Sequence, residues 1–223
     1  MSDSNAPIAV LFSGNGTNMQ SVIKHAQQGR IRARIACVIS NRADAYGLTR
    51  ANNAGIPSHV VPHDQFASRE LFEAELIRIL ESYEIETVVL AGFMRVFSEV
   101  FINRYANRIL NIHPSLLPKY PGLGTHHRVL KAQESQHGCS VHFVTVGLDE
   151  GPLVLQAKVP VFETDDVHSL IRRVLEKEHI VFPLAIRWFC EGKLYCNDGT
   201  VYFNEKKLER PLQLTIAHKT ELV

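Results

Sequence analysis

Apolar runs of strand length alternate with stretches of helical period through the first half of the chain, and this alternation restricts the fold more than any other feature. Residues 8–12 (IAVLF), 35–40 (IACVIS), 58–61 (SHVV), 87–91 (TVVLA) and 108–112 (RILNI) read as strands. Between them, helical spacing runs over 18–28, stopped by Gly29, over 46–53, ended by Gly55, and over 66–83, with apolar residues at Phe66, Leu71, Phe72, Leu76, Ile79 and Leu80. Strands separated by helices pair in parallel through crossovers, and strands that are apolar throughout need cover on both faces. The expected fold class is therefore α/β, a Rossmann-like, mostly parallel open sheet with helices on both faces. After residue 135 the texture changes. Residues 140–146 (SVHFVTV) and 154–161 (VLQAKVPV) flank the turn-rich GLDEGP and read as an appended antiparallel strand unit. A long amphipathic helix follows over 166–188, with a bend expected near Pro183, and two short strands, 194–196 and 200–203, surround Asn197-Asp198-Gly199. No repeat, linker or charge run interrupts the pattern, so one domain is expected over 1–223, its parallel part about 6–135 and its antiparallel strands and long helix about 136–205.

Composition narrows the partners. With 24 Lys and Arg against 23 Asp and Glu, the chain of 223 residues carries no overall field for nucleic acid or an anionic membrane. The four cysteines, Cys37, Cys139, Cys190 and Cys196, show no CxxC spacing, which argues against a metal knuckle and for reduced, structural thiols. No segment approaches the roughly 18 apolar residues that span a bilayer, and the start carries no positive region ahead of a long apolar run. A cytoplasmic protein is the expectation.

Three loops carry candidate chemistry, and an open parallel sheet places such loops beyond the carboxyl ends of its strands. The first, SGNGTN at 13–18, offers backbone N–H groups and a helix N-terminus to a phosphate. It is no dinucleotide fingerprint, because Met19 stands where a third glycine would fall after Gly14 and Gly16, and it lacks the lysine of a P-loop. Tight turns also use glycine for geometry alone. The second, GFMRVF at 92–97, reads either as ordinary core or as an apolar slot for a flat heterocycle. The third follows the fifth strand, where Asn111 and His113 stand two positions apart and Pro114 and Pro118 stop regular structure. An amide that holds an oxygen gaining charge, beside an imidazole that exchanges a proton near neutral pH, suits carbonyl chemistry. Asp149, in the GLDEGP turn, could raise the His113 pKa if that loop folds over the same face; otherwise it is a turn aspartate. His126, His127, His137 and His142 match no zinc spacing, so no metal is expected.

SGNGTNMQ at 13–20, AGFMRVFS at 91–98, NIHPSLLPKYPGL at 111–123, HGCSVHFVT at 137–145, LDEGP at 148–152 and Glu178-His179 occur in order. Together they resemble the phosphoribosylglycinamide formyltransferase family. The N-I-H-P-S-L-L-P core resembles formyltetrahydrofolate-dependent enzymes more widely, and the glycine loop is particular to the glycinamide enzymes. The resemblance implies that Asn111, His113 and Asp149 are catalytic. It implies that Gly16, Thr17, Asn18, Lys177 and Glu178 hold phosphoribosylglycinamide. It further implies that Arg69, Met94, Arg95, Val96, Phe97, Asn111, Thr145, Val146, Gly147, Leu148 and Asp149 hold the co-substrate, 10-formyltetrahydrofolate. The partners it implies are these small molecules, with no nucleic acid and no membrane, and a monomer or homodimer. Leu175 departs from the polar residue common there, leaving Lys177 or Arg173 to compensate. A methionyl-tRNA formyltransferase would need a second, basic domain. A formyltetrahydrofolate hydrolase would use water as acceptor and usually carries an extra N-terminal domain. A phosphate-binding module would leave the Asn-His-Asp set unexplained.

Overall fold

The computed structural model describes residues 6–215 and His218. The chain divides into two compact units, Met1–Asn111 and Ile112–Val223. In the first unit the order is β1 (Ala6–Phe12), α1 (Thr17–Gln27), β2 (Ala33–Ser40), α2 (Gly47–Asn53), β3 (Ser58–Val60), α3 (Arg69–Ser82), β4 (Thr87–Leu90), α4 (Glu99–Arg104) and β5 (Ile109–His113), the last crossing the boundary. All pairings are parallel, in the order β3-β2-β1-β4-β5. Ile8 to Phe12 are wholly buried, as a central strand covered on both faces requires. The order reverses between β1 and β4, so the loops after these two strands open one crevice, the usual ligand position in such sheets.

Helix α3 begins three residues later than the apolar spacing predicts. Ser68 is its N-cap, accepting the Leu71 N–H, and Phe66 lies ahead of the cap in extended backbone with its ring 5.8 Å from Phe72. Such a contact across a cap prolongs the apolar period beyond the helix it closes. Helix α4 carried no signal of its own because it has six residues. Its N-cap Ser98 is held from α3 by the buried carboxylate of Glu73, which accepts from both the Ser98 N–H (2.7 Å) and its hydroxyl.

In the second unit α5 (Thr125–Lys131) leads to β6 (Gln136–Phe143) and β7 (Leu153–Pro160), an antiparallel pair. Then come α6 (Val167–Cys190), the hairpin β8 (Leu194–Asn197) and β9 (Thr200–Phe203), and the two-residue strands β10 (Lys206–Lys207) and β11 (Leu212–Gln213). β11 pairs in parallel with β7, and β10-β9-β8 form a separate sheet. The fold is thus a mostly parallel, mixed eight-stranded sheet with helices and a small antiparallel sheet. β6 starts at Gln136 and stops at Phe143, earlier at both ends than expected. The cause at its start is Gly138, which reads as a breaker but sits inside the strand because an added Cβ would lie 1.9 Å from the Ala157 carbonyl oxygen. Asp166 and Ser169 form a capping box on α6, which runs unbroken through Pro183.

His137 is buried and its Nε2 lies 3.1 Å from Nδ1 of His126 on α5. Burial, and then the charges of neighbouring histidines, push both pKa values down to about 4. An unfolded histidine takes its proton near pH 6.5 and these do not, so the unfolded state binds more protons between about pH 6.5 and 4 and stability falls as pH falls through that window. Between pH 7 and 5.5 each ring is expected to remove about 1 kcal/mol, a few degrees of melting temperature. Thermal melts at the two pH values check this, and His137→Gln should flatten the dependence.

Candidate active site

The loop after β1 is built by close backbone approach. Gly16 caps α1 in the left-handed region at φ 71°, and a Cβ there would lie 2.8 Å from the Cα of Gly47. Gly47 in turn packs on the Phe12 ring, and its N–H donates to Gly14 (3.1 Å). α3, α4 and α6 are capped by Ser68, Ser98 and Asp166, whereas α1, like the shorter α2 and the seven-residue helix Thr125–Lys131, has neither a capping side chain nor an acidic residue in its first turn. Such a helix N-terminus, at the edge of a glycine turn, suits an anion, with the helix dipole behind it. Ser13 fixes the loop's base. Its hydroxyl donates to Asn41 Oδ1 (2.7 Å) and accepts the Met94 N–H (2.8 Å), and its own N–H donates to Gly92 (3.0 Å).

These loops enclose a cavity of about 450 Å³, walled by Ser13 to Asn18, Asn41, Arg42, His63, Ala91, Gly92, Met94 and Arg95. Gly16, Thr17, Asn18, Met94 and Arg95 thus meet as the sequence implied. Arg42 and His63 were missed, because Arg42 carries no motif and His63 is a single histidine in the short turn between β3 and α3. Of the expected folate residues in this unit, Met94 and Val96 are exposed (61% and 49%), so an apolar face is available there. Phe97 is not part of it. Its ring is buried, stacked 4.0 Å from Phe101 and 5.4 Å from Phe93, which is the ordinary-core reading of that residue. Arg69 lies exposed at the start of α3 and is not a wall of the cavity.

In the second unit the side chain of His113 is nearly buried, with Nδ1 3.3 Å from Asp149 Oδ2 and Nε2 2.9 Å from the Tyr120 carbonyl oxygen. The carbonyl can only accept, so Nε2 carries a proton. Asp149 sits in a left-handed turn (φ 56°) and also accepts the Gly122 N–H (2.8 Å). His142 Nε2 stands 3.6 Å from its other oxygen. Sequence reasoning gave His142 no role, and its place on β6 brings it to Asp149.

Burial is the largest influence on His113 and lowers its pKa; the Tyr120 carbonyl and the Asp149 charge both pull it up, while His142 and Arg128 push it down. The net direction is below the ordinary value, so the expectation that Asp149 would raise the pKa holds for its own contribution and fails for the sum. Asp149 shows the reverse balance. Burial would raise it, but hydrogen bonds from His142 and Gly122 and the His113 charge hold the carboxyl below its usual value.

Thr145 to Leu148 form the turn beside Asp149, outside β6, with Val146 and Leu148 each 51% exposed. On α6 Glu178 is buried facing β6, where its charge adds to the burial that pushes the Cys139 thiol well above its usual range. Lys177 is half-buried beside it. Arg173 is not available as a compensating cation, because both its terminal nitrogens bind Asp165 (2.6 and 2.7 Å) and it lies over the Phe162 ring. Among the described residues no group of three or more metal-ligating side chains converges, and no helix is long and apolar enough to cross a membrane.

A parallel sheet with a glycine loop at its switch point and a His–Asp pair at a strand end defines a class. Residues 6–186 match the family model described as formyl transferase, and the chain belongs to this family of transferases. It is 48% identical over 201 residues to phosphoribosylglycinamide formyltransferase of Escherichia coli, an alignment covering 90% of this chain and 95% of that one. The enzyme of the same name from Haemophilus influenzae is 46% identical over 91% of this chain and 96% of its own. The crystal structure of phosphoribosylglycinamide formyltransferase from Coxiella burnetii superposes with a TM-score of 0.88 at 47% identity, covering 93% of this chain and 99% of that one.

Proposed function

We propose that this chain transfers the formyl group of 10-formyltetrahydrofolate to the amine of N1-(5-phosphoribosyl)glycinamide, a step of purine synthesis in the cytoplasm. The observation that carries this reading is the His113 ring, held between Asp149 on Nδ1 and a carbonyl acceptor on Nε2. In the reaction the formyl oxygen takes the acceptor's place at Nε2–H. The neutral amine attacks the formyl carbon, forming a C–N bond, and the C=O electrons move onto oxygen. Asn111, two residues earlier on β5, and His113 stabilise that oxyanion as hydrogen-bond donors.

Both ring nitrogens of His113 face acceptors, an arrangement fully satisfied in the imidazolium, and burial opposes that charge. An anion at the formyl oxygen favours the charged ring, so the imidazolium is the form of His113 that holds the oxyanion. The oxyanion then collapses, the bond to the folate nitrogen breaks, and the proton lost by the attacking amine ends on that nitrogen. Gly16, Thr17 and Asn18 seat the phosphoribosyl end on the N-terminus of α1, with Lys177 and Glu178 for the rest of this substrate. Met94, Arg95, Val96 and the turn Thr145, Val146, Gly147 and Leu148 receive the folate. Phe97 contributes through its backbone, and Arg69, exposed at the start of α3, through its charge.

Purified protein with 10-formyltetrahydrofolate should release tetrahydrofolate only when phosphoribosylglycinamide is added. Equal turnover with water alone would mean a hydrolase, and none at all a binding module. Gly16→Ala, strained by φ and by the Gly47 contact, should raise the KM for phosphoribosylglycinamide about tenfold, a loss of roughly 1.4 kcal/mol, with a smaller change in kcat.

A further inference from the structure

Gln156, in the middle of β7, is a buried amide whose hydrogen bonds lead toward His113. Its Nε2 donates to the Leu117 carbonyl (2.8 Å) and to the Ser140 hydroxyl (2.9 Å). Ser140, wholly buried on β6, accepts also from the Leu117 N–H (3.1 Å) and donates to the Ser115 carbonyl (2.7 Å). Ser115 donates its hydroxyl to the Lys119 carbonyl (2.7 Å), and the next carbonyl, that of Tyr120, accepts from His113 Nε2. The network has one direction. Ser140 has a single proton and gives it to Ser115, so it must accept from Gln156, and the Gln156 amide nitrogen must face the segment. Its oxygen therefore faces the other way, where Gln213 Nε2 reaches it at 3.3 Å. Gln213 belongs to β11, which is joined to β7 by Leu214 N–H on the Gln156 carbonyl (2.8 Å).

We propose that Gln156 is a positioning residue that sets the segment from His113 to Tyr120, and so the aim of the His113 imidazole, and that β11 braces it from the far side. The proposal rests on the formyl-transfer reading above. A purely space-filling role needs only volume at this position. The observed arrangement needs a group that donates twice on one side and accepts on the other, which among side chains of this size only glutamine supplies.

Full-length Gln156→Glu, Gln156→Leu and Gln213→Ala test it. Glutamate keeps the shape and still accepts from Gln213, but it sets an oxygen against the Leu117 carbonyl. The two Gln156 variants should lose about tenfold in kcat with both KM values within about twofold, and Gln213→Ala should lose about threefold, the pattern of a group that acts on the reacting centre and not on binding. In substrate-free protein labelled with 15N-histidine, the His113 Nε2–H resonance, assigned by its disappearance in His113→Asn, should broaden in the same order. An unchanged resonance and wild-type kcat in these variants would overturn the proposal. So would a loss confined to KM. If the Gln156 variants do not fold, Gln213→Ala decides, since that side chain is exposed. The resonance is read without substrate, so a wild-type protein that fails to transfer formyl sinks the functional reading while this measurement still stands.

Discussion

Turnover in His113→Asn is expected to fall at least about 100-fold, with the KM for phosphoribosylglycinamide within about twofold of wild type. The size follows from where the side chain sits. His113 is 6% exposed at the end of β5, so a donor lost there is not replaced by bulk water. Asparagine still offers an N–H, but its shorter side chain does not span from Asp149 Oδ2 to the Tyr120 carbonyl, the two acceptors that fix the ring. A loss of 100-fold corresponds to about 2.7 kcal/mol of transition-state stabilisation, the range found for one donor to a developing oxyanion. Asn111→Ala should fall in the same range, since Asn111 stands two residues earlier on the same strand and β4 holds its backbone opposite Leu90. Steady-state kinetics, with a thermal melt to show that each variant folds, measure both. Near-normal kcat in either would remove oxyanion stabilisation by β5 from the mechanism.

The sequence carried the parallel part of the fold clearly because its signal is local. Five apolar runs separated by helical periods leave few topologies, and Ile8 to Phe12 are buried as such a run requires. What it misplaced depends on contacts distant in the chain. Gly138 belongs inside β6 only because the Ala157 carbonyl approaches it, and no window around residue 138 contains that fact. Phe66 looked helical because it packs across the cap onto Phe72. In the site, the residues of short motifs were legible: Gly16, Thr17 and Asn18 line one cavity, and His113 meets Asp149. Residues recruited singly were not. His63 and Arg42 reach the cavity, and His142 reaches Asp149, by strand register and loop course. The slot at 92–97 was half legible, since composition cannot tell the exposed Met94 and Val96 from the buried Phe97.

Asp149→Asn is expected to lower turnover about 100-fold at pH 7, the order of a general acid–base contribution, and the deficit should depend on pH. Asparagine keeps the size of the side chain and can still accept the Gly122 N–H, so the turn should persist. The charge is what disappears. Asp149 is one of two influences that raise the His113 pKa, against burial, His142 and Arg128, which lower it. Without it the lowering influences meet only the Tyr120 carbonyl, and His113 takes a proton at still lower pH. If the imidazolium is the form that stabilises the oxyanion, the variant recovers as pH falls, because protonation then replaces what the carboxylate supplied. Its deficit relative to wild type should be smaller at pH 6 than at pH 8. A deficit that widens toward low pH would mean that neutral His113 acts, as a base, and a deficit equal at both values would leave Asp149 with a purely geometric part. Titration of the His113 ring by NMR in the same variant separates these cases from a general loss of structure, since removal of the charge moves that pKa further down, whereas unfolding would free the ring from the burial that lowers it and move its pKa up.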